Sequence, residues 1–390
     1  MTVPNGPRVM LVIEATAGGT ARHIIEIALG CHRRGVGVHL VCSTRRSASF
    51  RDELRRLRDA GVAADEIDMR REISPLSDGA AVLRLRRLIL RTRPDVLHLH
   101  SSKAGALGRG AAVALGHRRP VVIYTPHDFA FLAQPGKLNR CGYWCAERAL
   151  IPLTDRLVAV SESEGRDAAR LGAGRRVVVI PNGVSEPTQP ALRLWKKGGG
   201  LRVGWLGRLA WQKDPLAAVK ASFVLSRLGV GHEMLMGGDG PDRGGVVAAI
   251  RSLRVEGHIR LLGVVGETAA FHAGVDLLLT TSRSEGLSYA VLDAMAHGVP
   301  VVGFDVAGVR DLVRHGVTGL LAPAGDAGAL AAHMARLARD PALRQELGAA
   351  AQRLVLHDFR LADQIDRLCE LYRSLAVGRA ARVAGCGPLL

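Results

Sequence analysis

The chain has 390 residues, of which 48% are hydrophobic and 23% charged, and its formal net charge is +17. That length and composition describe a globular protein of two or three domains with sizeable cores. No apolar run reaches the ~18 residues that a membrane helix needs. The start MTVPNGPR leads straight into the strand-like VMLVIEA, too short for a signal peptide, so a cytoplasmic location is expected. Residues 1–186 hold 29 Lys/Arg against 18 Asp/Glu, a net of +11. A basic face of this kind suits phosphate-bearing ligands or an anionic membrane surface. Nucleic acid is not expected as a partner: aromatics are only 4%, and there is neither a stacking platform nor a zinc-finger spacing.

In chain order, Arg8–Ala15 reads as a strand, Ala21–Arg34 as an amphipathic helix and Gly37–Cys42 as a strand. Ser49–Ala60 and Gly79–Arg91 are predicted helices, Val96–His100 a strand, Ala104–Leu115 a helix and Val121–Thr125 a strand. Trp144–Leu153 is a predicted helix, Leu157–Ser161 a strand, Glu162–Leu171 a helix and Val177–Ile180 a strand. Residues 187–200, with two prolines and Gly198-Gly199-Gly200, break the rhythm and read as a linker. A second series follows, with strands near Leu201–Leu206, His232–Met236, Ile259–Leu262, Val275–Thr281 and Val299–Phe304. From Ala327 the chain is mostly helical to about Leu375, and the Gly/Arg-rich tail 376–390 is expected to fray. The alternation predicts an α/β protein of two doubly wound, Rossmann-like domains, residues 1–186 and 201–375, with a ligand cleft at their meeting.

The most informative stretch is TTSRSEGLSYAVLDAMAHGVPVVGFDVAGVRD, residues 280–311. Strand, glycine turn, helix, strand is a unit that presents backbone N–H groups to a phosphate. An acid stands on each side of the helix start, Glu285 in the turn with Gly286 and Asp293 eight positions on. Eight helical residues span about 12 Å, enough to touch both the sugar and the ribose of a nucleotide sugar. Arg208 and Lys213, in GRLAWQKD, follow the first strand of the second domain, where phosphates bind in this architecture. Gly18-Gly19 follows the first strand of the chain and reads either as a close approach of backbone to a phosphate or sugar, or as a plain tight turn; GxGxxG is absent. His127, in YTPHD, stands just past a strand end, and His98 and His100 alternate on one strand so that both point the same way. No Asp-x-Asp occurs to hold a metal against a diphosphate, so neutralisation falls to Arg208, Lys213 and the helix start after Glu285. Val82–Arg93 is a basic helix that suits an anionic membrane surface or, alternatively, a core with a solvated basic face. Cys141 and Cys145 in CGYWC lack the second pair a zinc site wants.

Together the segments AGGTARH, HLHSSKAG, YTPHD, VAVSESE, IPNGV, GRLAWQK, GGDGPDR and SEGLSYAVLDAMAHGVPVV resemble, in this order, family 4 of the glycosyltransferases, of GT-B fold. The flavour is that of bacterial enzymes of exopolysaccharide or O-antigen assembly. The resemblance implies a retaining sugar transfer from a nucleotide-sugar donor, without metal or other cofactor, to a hydroxyl acceptor on a lipid-linked glycan intermediate of cell-surface polysaccharide. A glycosyltransferase acting on a soluble small molecule and a non-catalytic nucleotide-sugar-binding subunit are the alternatives. It assigns Arg208 and Lys213 to the donor diphosphate, Glu285 to the transferred sugar, and Gly18 and Gly19 to a loop over the diphosphate. The backbone of Gly286, Leu287 and Ser288 would meet a phosphate, and His127 the reacting sugar. Asp293 matches the second acid of the family's Glu-x7-Glu pair, on the ribose; here Asp replaces Glu, one methylene shorter.

Overall fold

The computed structural model describes residues 6–47, 49–187 and 200–385, and these divide into two compact units. The first contains residues up to Leu132, Gly136–Pro181 and the chain from Ala362 onward; the second contains Asn182–Leu361.

The first unit runs β1 (Arg8–Ile13), α1 (Gly18–Arg33), β2 (Gly37–Cys42), α2 (Phe50–Asp59), β3 (Ala63–Glu66), α3 (Pro75–Thr92), β4 (Val96–His100), α4 (Ser102–Val113), β5 (Val121–Thr125), α5 (Lys137–Leu150), β6 (Arg156–Ala159), α6 (Glu162–Arg170) and β7 (Val177–Val179). Its strands form one parallel sheet in the order β3-β2-β1-β4-β5-β6-β7. β4 and β5 are buried at every position, as a parallel sheet covered on both faces requires. β3 escapes sequence reading because AADE carries two acids and only pairs with β2 at the sheet edge.

The second unit runs β8 (Leu201–Leu206), α7 (Pro215–Arg227), β9 (His232–Gly237), α8 (Arg243–Ser252), β10 (Ile259–Gly263), α9 (Thr268–Ala273), β11 (Leu277–Thr280), α10 (Tyr289–Ala296), β12 (Val301–Phe304), β13 (Gly319–Ala322), α11 (Ala327–Arg339) and α12 (Pro341–Asp358). Its parallel sheet has the order β10-β9-β8-β11-β12-β13. Helix starts are set by carboxylates: Asp326 accepts from the Ala329 N–H at 2.8 Å and Asp340 from the Leu343 N–H at 2.9 Å.

The division of the chain departs from the sequence expectation at both ends. The second unit begins at Asn182, and the expected linker 187–200 lies outside the described residues except for Pro187 and Gly200. The last helix, α13 (Leu361–Gly385), returns to the first unit instead of closing the second, and it continues through most of the tail expected to fray. Its stripe Ile365, Leu368, Cys369 and Tyr372 is buried at helical spacing. Arg34 bonds Asp366, and Arg379 meets Asp95 at 3.2 Å. A helix with an apolar stripe and cations reaching acids of the first unit has reason to stay ordered there. Three helix starts also move by three residues or more: α1 begins at Gly18, not Ala21, α3 at Pro75, not Gly79, and α5 at Lys137, not Trp144.

His98 ties α13 to the sheet. Its Nδ1 lies 2.7 Å from the Tyr372 hydroxyl and its Nε2 2.9 Å from Thr125 Oγ1. Burial, and secondarily the neighbouring His23, pull its pKa down to about 3. The ring titrates near 6.5 in an unfolded chain, so the unfolded state takes up the proton first. The stability this neutral ring contributes is complete above pH 6.5 and is lost as pH falls towards 3, on the order of 5 kcal/mol. The denaturant midpoint is therefore expected to drop between pH 7 and pH 4.5; a midpoint constant over that range would contradict the buried neutral ring.

Candidate functional site

In a doubly wound sheet, ligands collect at the carboxyl ends of strands where the winding reverses. In the second unit that point falls at β8 and β11, which are neighbours in the sheet. The loop after β8 is held by the loop after β9: Gly207 N–H donates to the Gly237 carbonyl and Leu209 N–H to that of Asp239, both at 3.0 Å. Arg208 is exposed in this loop. The short turn Trp211–Lys213 ends at Asp214, which has φ 44° and caps α7 by accepting from the Ala217 N–H at 3.3 Å.

Lys213 and Glu285 meet. The Lys213 ammonium bonds Glu285 Oε1, and the Ser282 hydroxyl donates to the same oxygen at 2.6 Å. Glu285 is 8% exposed, so its charge sits in a largely dry pocket with two donors already in place. The Thr281 hydroxyl fixes the two loops to each other, reaching the Lys213 and Asp214 carbonyls at 2.9 Å while accepting the Trp205 indole N–H at 2.9 Å. Arg283 pairs with Asp214 at 2.5 Å. Behind the turn, the Glu285 N–H donates to the Ala307 carbonyl at 3.2 Å, and Gly308 has φ +77° with room for no side chain. A Cβ on Gly308 would stand 2.3 Å from the Glu285 carbonyl oxygen, so only glycine allows this approach.

The first turn of α10 follows at once. Leu287 and Ser288 are buried, and Ser288 is the N-cap residue with no side-chain capping bond. A helix start whose N–H groups are not capped by its own N-cap side chain keeps its dipole available to an anion. The Leu287 carbonyl accepts from Asn182 Nδ2 at 3.1 Å. Asp293 is the fifth residue of α10 and is 7% exposed. Glu285 lies in the turn, as expected, but eight residues of helical rise do not separate it from Asp293: α10 begins only at Tyr289, and Gly286 to Ser288 precede it.

In the first unit the winding reverses at β1 and β4. Gly18, with φ +62°, and Gly19 are the first two residues of α1, not a loop ahead of it. His127 and Asp128 follow β5 with φ of 55° and 80°, a left-handed pair that side chains rarely adopt. Glu164 supports this turn from α6: its Oε1 accepts from the Asp128 N–H and its Oε2 from the Val160 N–H, both at 2.7 Å. His127 Nε2 lies 3.0 Å from His100 Nδ1, and the His23 ring from α1 sits edge-on at 4.5 Å. Burial pushes the pKa of both His100 and His127 well below the usual imidazole range. These rings are neutral at physiological pH and act through hydrogen bonds, not charge.

The sequence named Arg208, Lys213, Glu285 to Ser288 and Asp293 in the second unit, and Gly18, Gly19, His98, His100 and His127 in the first. It missed Ser282, Gly308, Asn182, His23 and Glu164. Each of these is an ordinary residue in its local stretch and gains its place only from strand order.

The profile of Glycosyltransferase Family 4 matches residues 17–186, and that of Glycosyl transferases group 1 matches residues 200–340. The Escherichia coli UDP-Gal:alpha-D-GlcNAc-diphosphoundecaprenol alpha-1,3-galactosyltransferase is 26% identical over 323 residues, covering 79% of this chain and 83% of that protein. The 2-deoxystreptamine glucosyltransferase of Streptomyces kanamyceticus is 30% identical over 241 residues, covering 58% and 61%. Among solved structures, Anabaena HepE in complex with UDP and glucose superposes with a TM-score of 0.77 at 18% identity, covering 94% of this chain and 100% of that one. The two parallel-sheet units are thus those of the GT-B fold. The chain belongs to the glycosyltransferases, Family 4 in its first part and group 1 in its second, and is a transferase enzyme.

Proposed function

We propose that this enzyme is a retaining, metal-independent glycosyltransferase that moves a sugar from a nucleotide sugar to a hydroxyl of a lipid-linked glycan intermediate. The observation that carries this reading is the cluster of Lys213, Glu285, Ser282 and the α10 start at one strand-end junction. As the glycosidic bond breaks, the leaving diphosphate gains negative charge. Arg208, Lys213 and the α10 N–H groups are donors suited to that charge, and interactions that strengthen in the transition state are the ones that accelerate a step. Glu285 holds Lys213 in place beforehand and is an acceptor for hydroxyls of the transferred sugar. Asp293 is the proposed ribose acceptor, its shorter side chain demanding a closer approach than Glu would. Within the first unit, His127, neutral, is the proposed hydrogen-bonding group for a sugar, and Gly18 and Gly19 offer backbone N–H groups at the start of α1. The absence of Asp-x-Asp supports neutralisation by these cations in place of a metal.

The lipid-linked acceptor is supported by the relative whose name specifies a diphosphoundecaprenol substrate and by α3. Within the predicted basic helix, Leu85 and Ile89 are core residues, not membrane-facing ones. The outward apolar residues are Leu76, Leu83 and Leu90, exposed by 92%, 55% and 42%. Seven-residue spacing drifts by only about 20° per repeat, so they form one stripe. Arg84, Arg87 and Arg91 flank it on the exposed face. Apolar residues between arginines suit an anionic lipid surface. The 2-deoxystreptamine enzyme favours the second reading, a soluble acceptor.

Four measurements test this. With UDP-, GDP-, dTDP- and ADP-sugars, one should yield free nucleoside diphosphate, and the anomeric coupling of the product in proton NMR should match the donor's. Lys213→Ala should lower kcat by about a hundredfold or more, some 3 kcal/mol of barrier, with the fold intact by circular dichroism; near-normal turnover would remove the diphosphate assignment, and no release from any donor would leave a binding subunit. Chelator should leave the rate unchanged, and its abolition by EDTA would refute metal independence. Leu83→Glu/Arg87→Glu should weaken co-sedimentation with anionic vesicles about tenfold or more, in a salt-sensitive way; wild-type protein that ignores vesicles would turn the reading to a soluble acceptor.

A further inference from the structure

The first unit gathers four imidazoles at the carboxyl end of its sheet, and three of them converge. A ligand nitrogen from each of His23, His100 and His127 lies within 4.8 Å of the other two. They arrive from three elements: His23 from α1, His100 from the last position of β4, and His127 from the left-handed turn after β5. No local motif places them together, since their spacings of 77 and 27 residues match no short metal signature.

Hydrogen bonding leaves this cluster incomplete. The His100–His127 contact of 3.0 Å holds one proton at most between two neutral rings. The other ring nitrogen of His100, Nε2, is fully buried and has no hydrogen-bond partner among the described residues. If Nδ1 carries the proton, Nε2 is a bare lone pair in a dry setting; if Nε2 carries it, a donor is wasted there. Either state leaves a buried polar atom unmet, which native interiors avoid. His98 cannot relieve it, because both of its nitrogens are engaged with Tyr372 and Thr125.

We propose that His23, His100 and His127 form a binding site for a borderline divalent transition metal of the Zn2+ type. Imidazole is the ligand such ions favour, and a zinc–nitrogen bond of 2.0–2.1 Å puts two tetrahedral ligands about 3.3 Å apart. The His100 Nδ1–His127 Nε2 separation of 3.0 Å is within a few tenths of an ångström of that spacing, and a ligand nitrogen of His23 lies within 4.8 Å of theirs, so a metal on this pair takes His100 through Nδ1 and leaves the proton on its Nε2. A carboxylate-free, neutral set disfavours Mg2+ and Ca2+, which want oxygen. Occupancy engages the nitrogen of His127; resting on the function proposed above, zinc then inhibits transfer, the opposite of a cofactor.

The test uses the full chain with Cys141→Ser, Cys145→Ser and Cys386→Ser, so that neither the two thiols exposed among the described residues nor the sixth cysteine of the sequence takes zinc. Calorimetric titration with ZnCl2 should show one saturable site, and Co2+ should give a tetrahedral visible spectrum. His23→Ala and, separately, His100→Asn should each weaken this binding about hundredfold or more, with folding of both checked by circular dichroism. Titration by Mg2+ should show no heat of binding. No saturable site in the parent, or zinc binding unaltered in both folded variants, overturns the proposal. Zinc that binds with the expected histidine dependence yet leaves donor turnover untouched upholds the site and tells against His127 in the reaction.

Discussion

The contact between Lys213 and Glu285 joins two loops that are 72 residues apart in the chain, and the rest of this strand-end junction is arranged around it. It exists because the sheet reverses its winding at β8 and β11, so the loops leaving those strands have nowhere to go but beside each other. Thr281 then locks the carbonyls of Lys213 and Asp214, and Gly308 lets the Glu285 backbone settle against its neighbour without a side chain between. A cation and a carboxylate held this way lose little freedom when a ligand arrives. That is the physical sense in which a site is organised before it reacts.

The same rule of winding operates in the first unit with different chemistry. There the reversal at β1 and β4 assembles uncharged imidazoles, and the turn carrying His127 sits in a backbone conformation that costs energy for a non-glycine residue. Glu164 offsets part of that cost by accepting two backbone N–H groups at 2.7 Å. A buried polar cluster, a strained turn and a carboxylate devoted to holding it are departures from what stability alone would select. Such departures concentrate where a protein does its work.

α3 has two apolar faces with separate duties. Ala81, Leu85 and Ile89 face the core, while Leu76, Leu83 and Leu90 face outward among arginines. Hydrophobic periodicity alone reads both sets as one amphipathic signal, because the two stripes overlap in sequence. Only burial separates them.

The alternation of strands and helices, the two doubly wound sheets and the residues Arg208, Lys213, Glu285 and His127 were all legible in the sequence. Each depends on short-range pattern: apolar strands, glycine turns, and polar residues just past strand ends. Strand order was not legible, and with it went the partners Ser282, His23 and Glu164, which are unremarkable in their own segments. Nor did local pattern show that α13 returns to the first unit, since its stripe of Ile365, Cys369 and Tyr372 fits any apolar surface until His98 and Asp95 are seen opposite. Sequence decides what each element is, because that is settled by neighbours along the chain. Tertiary structure alone decides what each element meets, because contacts between distant segments depend on how the sheet is wound.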